Sequence, residues 1–281
     1  MNSSRIAPDP DKLSLNTATV KMQWRLDQII EGCTRHGIRG ISPWRDQVAE
    51  IGLGQAAKLI RSHDLTVTGY CRGGMFPAAD AAGRQAALDD NFRAVDEALT
   101  IGSPCLVLVV GGMPKGSKDL DGARAQVRDG IGHLLDYSRK AGMPLAIEPL
   151  HPMYAADRAC VNSMAHANQL CDELWDDGLG IALDVYHVWW DPDLREQIRR
   201  AGKKRLLAFH ICDWLVPTTD LLLDRGMMGD GVIDIAALRE AVEYEGYSGF
   251  HEVEIFSAGN WWKRPPDEVL AICKQRHLGC C

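Results

Sequence analysis

The feature that most constrains this chain is a rhythm. An apolar run is followed by a longer amphipathic stretch, which returns through Gly, Pro or Asp, and the pair recurs along all 281 residues. The runs are KLSLNTA (12–18), IRGISPW (38–44), LTVTGYC (65–71), CLVLVVGG (105–112), PLAIEPL (144–150), LGIALDVYH (179–187), RLLAFHICDW (205–214) and GFHEVEIFS (249–257). The intervening stretches read as helices: WRLDQIIEGCTRHG is one, and DIAALREAVEYEG is another, with Asp234 as N-cap and Gly246 as stop. Short strands alternating with helices spell βαβ units and a parallel sheet. Eight such units predict an α/β fold of the (β/α)8 TIM-barrel type, in preference to an open doubly wound sheet. No G-x-G-x-x-G follows the first strand, which removes the best support for a dinucleotide site. No Pro- or Gly-rich linker divides the chain, so residues 1–281 are expected to form a single domain, with barrel strands from about 12 to 257.

Composition excludes several classes. With 46% hydrophobic and 25% charged residues the chain is of the soluble globular kind. A net charge of −7 gives no basic footprint, so neither nucleic acid nor an anionic membrane is expected as partner. The same charge argues mildly for a neutral small substrate over a heavily phosphorylated one. No apolar stretch is long enough to span a bilayer and MNSSRIAPDPDKL lacks a signal-peptide core, so a cytoplasmic protein is expected. The nine cysteines show no C-x-x-C spacing and read as reduced core thiols. The terminal GCC has no polybasic segment beside it and reads as a frayed, unmodified tail rather than a prenylation signal.

In a barrel, successive strand residues alternate between the interior and the helix layer, and catalytic groups collect at the C-terminal strand ends. In PLAIEPL, Leu145 and Ile147 share one face and Ala146 and Glu148 the other. In LGIALDVYH, Ile181, Leu183 and Val185 point outward, leaving Ala182 and Asp184 inward. In RLLAFHICDW, Leu207, Phe209 and Ile211 face the helices, and Ala208, His210 and Cys212 face in. In GFHEVEIFS, Glu252 and Glu254 point inward, with Glu254 nearer the top. Four consecutive strands thus deliver Glu148, Asp184, His210 and Glu254 at one level. One inward Glu is ordinarily a salt-bridged structural residue, and one His a hydrogen-bonded core residue; the shared register is what marks the set. Three converging carboxylates would repel and protonate unless a cation joined them. The donor set suits a divalent metal that keeps open positions, Mn2+ best, with Mg2+, Co2+ or Zn2+ as alternatives.

His187 lies just past its strand end, within reach of a substrate oxygen. His166 and His251 lack the register and read as structural; His151 stays open. Other polar or aromatic residues gather at strand tops: Asn16, Trp44-Arg45, Cys71-Arg72, Asp213-Trp214, Trp189-Trp190 and Trp261-Trp262. Aromatic residues there suit a sugar ring face or, equally, a packed rim. In DRGMMGDGVID (224–234), Gly229 and Gly231 read as turn residues, and Arg225 is placed either to enter the cavity or to lie on the surface.

IEPL, LDVYHVWWDP, FHICDW, RGMMGDGVID and VEIFS, in strand order, resemble the xylose isomerase-like TIM-barrel superfamily of sugar phosphate isomerases and epimerases. The resemblance covers nearly the whole chain. It implies that Glu148, Asp184, His210 and Glu254 match metal ligands, with Glu148 and Glu254 doubling as acid and base. It also implies that His187 and Arg225 match substrate-contacting positions; Asn16, Trp44 and Arg72 join them as candidate substrate contacts by location. One departure stands out. Ketose epimerases of this group tend to carry a further acid shortly after the first ligand, whereas EPLHPMYAAD has His151 and Asp157 but no Glu there.

The expected chemistry is proton abstraction beside a carbonyl, with a metal stabilising the enediolate. Reprotonation on the other face gives an epimer, and at the neighbouring carbon an aldose–ketose isomer. The expected enzyme is therefore a divalent-metal-dependent isomerase or epimerase of a sugar, keto-sugar or inosose, serving carbohydrate metabolism. Loss of a β-substituent would make it a dehydratase or lyase of a keto-sugar or 3-keto-glycoside. An endonuclease IV-like repair enzyme needs more metal ligands and a positive DNA-binding face, and ranks lower, as does a non-catalytic subunit. The expected partner is a small sugar or polyol, and the sequence is compatible with a homo-oligomer.

Overall fold

In the computed structural model, which describes residues 6–175 and 177–281, nine parallel strands wrap around a narrow interior. In chain order the strands are β1 (Leu13–Asn16), β2 (Gly40–Ser42), β3 (Thr66–Val67), β4 (Tyr70–Gly74), β5 (Leu106–Val109), β6 (Leu145–Ile147), β7 (Leu179–Asp184), β8 (Leu206–Ile211), β9 (Asp213–Trp214), β10 (Arg225–Gly226) and β11 (His251–Val253). The helices are α1 (Leu26–His36), α2 (Arg45–Ile51), α3 (Leu53–Ser62), α4 (Ala81–Ile101), α5 (Leu120–Ala141), α6 (Met164–Leu174), α7 (Val185–Val188), α8 (Leu194–Arg205), α9 (Ile235–Tyr244) and α10 (Pro266–Cys280). The sheet runs β3-β2-β1-β11-β8-β7-β6-β5-β4, and β9 and β10 form a separate antiparallel ribbon. No described helix is long and apolar enough to cross a membrane.

The helices form where the sequence places a stripe and its punctuation. In α1, Leu26, Ile29, Ile30 and Cys33 are buried, a spacing that lines one helical face, and Gly37 ends the helix in the left-handed region at φ 63°. In α9, the Asp234 carboxylate accepts from Ala237 N at 3.2 Å, and Gly246 follows the helix at φ 93°, as its sequence predicts.

The third apolar run departs from expectation. It is two strands, not one: β3 pairs with β2, and β4 pairs with β5. The chain crosses the barrel seam between them at Gly69, where a Cβ would lie 3.2 Å from both Glu252 Oε1 and Ser42 Oγ. The seam is held by Thr68 N donating to Ile41 O at 2.9 Å, Cys71 N donating to Pro43 O at 3.2 Å, and a parallel bridge between Trp44 and Cys71. Closing a barrel staggers the register between neighbouring strands, and no local pattern shows where that stagger falls.

Inside the barrel, Cys71, Cys105, Val107, Ala146, Ala182 and Ala208 pack as a small core of their own. Their neighbours Leu145, Ile147, Ile181, Leu183, Phe209 and Ile211 belong to the larger core between strands and helices. This is the alternation expected from strand parity, except at Leu207, which was expected to face the helices and instead packs against the inner group, where the pairing of β7 with β8 shifts register. All nine cysteines are free, and all but Cys280 are buried. The C-terminal segment is not frayed: α10 runs to Cys280, and Cys281 is buried, because the segment packs onto the barrel core instead of hanging in solvent.

Candidate metal centre

Three alanines lie under the centre. Ala146, Ala182 and Ala208 precede Glu148, Asp184 and His210 by two residues each, so they share the inward face one layer down. Their small side chains leave the longer polar ones room to converge. Glu148, Asp184, His210 and Glu254 each offer one ligand atom, and these atoms all lie within 4.8 Å of one another. All four residues are buried.

The convergence does not rest on a common ladder level. Strand pairing sets His210 opposite both Asp184 and Glu252, whereas Glu254 stands two residues beyond Glu252, just past the end of β11. The expectation of one level is thus corrected. Strand tilt, which makes a layer across the barrel cut obliquely through the hydrogen-bond register, brings Glu254 rather than Glu252 to the mouth.

His210 Nδ1 faces the carboxylates, 3.1 Å from Glu148 Oε1 and 3.9 Å from Glu254 Oε2. Its Nε2 faces away, 3.4 Å from Glu252 Oε2. Burial alone would lower the His210 pKa, but Glu252, Glu148 and Glu254 outweigh it and raise it well above the ordinary value. Burial raises the Asp184 carboxyl, against the opposing charge of Arg225. Burial likewise raises Glu252, with His210 opposing.

Of the two placements open to Arg225, the structure adopts the interior one. Its Nη1 donates to Asp184 Oδ2 at 2.9 Å and Glu254 Oε2 at 3.0 Å, and its Nη2 lies 3.1 Å from His187 Nε2. The guanidinium is flanked by the rings of Tyr186 and Phe256, at 4.5 and 5.1 Å from their centroids. The loop behind it is anchored by Asp213, whose carboxylate accepts from the backbone N of Gly229, Gly231 and Ile233 at 2.8–3.0 Å. Gly231 is there because a Cβ would meet Trp214 O at 2.0 Å. His187 Nε2 lies 3.6 Å from Asp184 Oδ2, while its Nδ1 is buried without a partner. Burial, then the Arg225 charge, push its pKa well below the ordinary value, so it is a neutral imidazole.

The remaining candidates divide. Asn16 and Trp44 are spent partly on each other: Trp44 Nε1 donates to Asn16 Oδ1 at 2.8 Å, and that oxygen also accepts from Ala18 N. Arg72 is half-buried in β4, where the pairing with β5 shifts register. Trp189, Trp214 and His151 form an aromatic wall, with His151 stacked on Trp214 at 5.0 Å. His151 is thereby placed at the mouth. Trp261 is buried and belongs to the core. His251 and His277 pair away from the centre, Nδ1 to Nε2 at 2.9 Å, and His166 lies on α6 outside it. Residues that parity alone did not single out include Glu252, behind His210, and Tyr154, whose ring meets that of His187 edge-on at 5.9 Å. Glu252 shares the inward parity of Glu254, which was the available signal; Tyr154 had none.

The donor chemistry fits a divalent cation. Among the described residues, Arg225 and His210, whose pKa the carboxylates raise, face the three converging carboxylates and Glu252, so two cations stand against four acids and the set takes more positive charge. Buried polar atoms without partners, among them His187 Nδ1, Tyr154 Oη and Arg225 Nε, lie beside this set, with His187 touching both Arg225 and Tyr154.

The family model for the xylose isomerase-like TIM barrel matches residues 30–274. An inosose isomerase of Bacillus velezensis is 23% identical over 278 residues, covering 94% of this chain and 95% of that protein. Among solved structures, protein SMc04130 from Sinorhizobium meliloti is 59% identical with a TM-score of 0.95, covering 97% of this chain and 99% of that one. The IOLI protein with a bound zinc atom is 20% identical with a TM-score of 0.79, covering 96% and 97%, a likeness of fold.

Proposed function

The chain belongs to the xylose isomerase-like TIM-barrel family, and we propose that it is a divalent-metal-dependent isomerase or epimerase of a sugar, keto-sugar or inosose. The observation that carries this reading is the convergence of Glu148, Asp184, His210 and Glu254 within 4.8 Å at the C-terminal mouth of the barrel. Its full-length similarity to an inosose isomerase supports the same reaction class.

In this reading Glu148, Asp184, His210 through Nδ1, and Glu254 hold the cation, Mn2+ best, with Mg2+, Co2+ or Zn2+ as alternatives. When bound, the cation polarises the substrate carbonyl and stabilises the negative charge of the enediolate. Glu148 and Glu254 rise from strands on separated parts of the ring and flank the carbon between them. One removes the proton beside the carbonyl, and the other, in its protonated form, returns one. Arg225 and His187 hold substrate oxygens, and Asn16, Trp44 and Arg72 line the approach. Burial of the whole set excludes bulk water from the carbanion-like intermediate.

The test is a panel of keto-sugars and inososes with Mn2+, followed by proton NMR in D2O. Deuterium should enter at the carbon beside the carbonyl, even where no net product accumulates. Turnover without solvent deuterium would mean internal hydride transfer and would overturn the enediolate mechanism. Release of water or of an aglycone would move the enzyme to the dehydratase or lyase branch of the same chemistry.

A further inference from the structure

One side of the mouth carries positive charge that no described residue pairs with. Arg72 is half-buried in β4 and makes no hydrogen bond or ion pair with any described residue. Arg158 lies across from it, in the loop between β6 and α6. Its backbone is fixed, with N donating to Tyr154 O at 3.0 Å and O accepting from Gly111 N at 3.0 Å. Its guanidinium faces the ring of Tyr154, 5.7 Å from the centroid, and meets no carboxylate among the described residues. Arg158 O is held by Gly111, just past β5, where a Cβ would lie 3.0 Å from Met75 Cα, and β5 is the strand that pairs with β4, so the two cations stand on adjoining strand ends. Burial, then Arg158, hold the Arg72 guanidinium below its ordinary range.

A third group completes this face. Tyr154 is 6% exposed, and its buried hydroxyl has no hydrogen-bond partner. Its ring reaches His187 on one side and carries Arg158 on the other. Two partly dehydrated guanidinium groups and an orphaned phenol are costly to hold together in the free protein. Guanidinium forks match the paired oxygens of phosphate and carboxylate, and an anion there would satisfy all three groups at once. The net charge of −7 belongs to the whole surface and does not set the field at this face.

We infer that Arg72, Arg158 and the Tyr154 hydroxyl bind an anionic group on the substrate, a phosphate ester or a carboxylate, at a distance from the reacting carbonyl. The inference rests on the isomerase or epimerase reading insofar as the anion is part of the substrate.

The test compares a 2-ketohexose, its 6-phosphate and its 6-carboxylate by solvent deuterium exchange with the Mn2+-loaded enzyme. The wild type should favour an anionic substrate over the neutral parent, and which anion is preferred distinguishes the two sources. Arg72→Gln with Arg158→Gln should lower kcat/KM for the anionic substrate roughly 10–100-fold more than for the neutral one, mostly through KM. Arg72→Lys, which keeps charge but loses the fork, should fall between, and it serves if the double variant does not fold. Equal use of neutral and anionic substrates by the wild type would overturn the inference. Exchange with none of the three would count against the isomerase or epimerase reading instead. The anion site is then decided by calorimetric titration of inorganic phosphate: weaker binding by Arg72→Lys or the double variant upholds it, and unchanged affinity overturns it.

Discussion

Glu252 Oε2 lies 3.4 Å from His210 Nε2, on the side of the imidazole turned away from Glu148 and Glu254. The contact is one of charge, since neither Nε2 nor Oε2 has a hydrogen-bond partner; a carboxylate on that side favours a proton on Nε2, so Nδ1 is the atom offered to a cation. Replacing Glu252 with Ala should weaken metal affinity about 10–100-fold, and Glu252→Gln, whose carbonyl still favours a proton on Nε2, should weaken it less. Competition with a chelator measures both. Unchanged affinity in Glu252→Ala would show that the imidazole is oriented by packing alone.

His210→Ala removes the one nitrogen donor and leaves the acids to repel. Protein purified without chelator should carry about one metal per chain if one such site forms, and the variant should carry a small fraction of that by elemental analysis. Full occupancy in the variant would rule out this ligand set.

Arg225 touches Asp184 and Glu254 at 2.9 and 3.0 Å. Arg225→Ala should therefore destabilise the metal-free protein strongly, by up to about 3–5 kcal/mol, because it leaves buried charge uncompensated. Protonation of Asp184, whose carboxyl burial already raises, limits the loss. Mn2+ should recover most of that stability while kcat/KM remains low. Thermal unfolding with and without metal, beside steady-state kinetics, checks both halves; near-absence of metal in the variant would make Arg225 essential to the centre rather than to substrate.

Glu254→Gln keeps the side-chain shape and one ligand oxygen but removes the base. It should retain some metal and lose turnover by about 10²–10⁴-fold, the usual worth of a general acid–base group. Near wild-type deuterium exchange would assign the proton transfer elsewhere.

The His251–His277 pair gives a pH dependence independent of the centre. Burial, then neighbouring charge, lower His251 to about 3, and burial, then Arg239, lower His277 to about 4. The unfolded chain binds protons on these groups near pH 6.5, so it binds more than the folded one below that point. Their stabilisation is thus fully present above about pH 6.5 and is lost as pH falls toward 4, by up to about 1.4 kcal/mol per pH unit for each histidine. His277→Gln should flatten the fall in urea midpoint between pH 7 and 5, and an equally steep fall in the variant would exclude the pair as its source.

Much of this was legible because strand parity is local. Ala146 and Glu148, Ala182 and Asp184, and Ala208 and His210 point inward as their alternation requires. What was not legible depends on closure and on contacts distant in sequence. The split at Gly69 follows from the seam, and the place of Glu252 behind His210 follows from pairing between β8 and β11. The interior position of Arg225 depends on Asp213 binding backbone groups 16–20 residues away. Trp261 reads like a rim aromatic and is core, since a tryptophan after a strand carries no mark of which way it turns.

The residues gathered at the candidate metal centre all lie at or beyond Glu148, so β1 through β5 supply none of them. Asn16, Trp44 and Arg72 instead stand on that first half of the barrel. Heredity can therefore act on the two halves at different rates. Loops after the early strands can be lengthened, shortened or exchanged between relatives without removing any of the four converging residues, whereas a change at the later strand ends can remove one at once. A lineage built on this plan can reshape the wall that carries Asn16, Trp44 and Arg72 while keeping one inherited reaction.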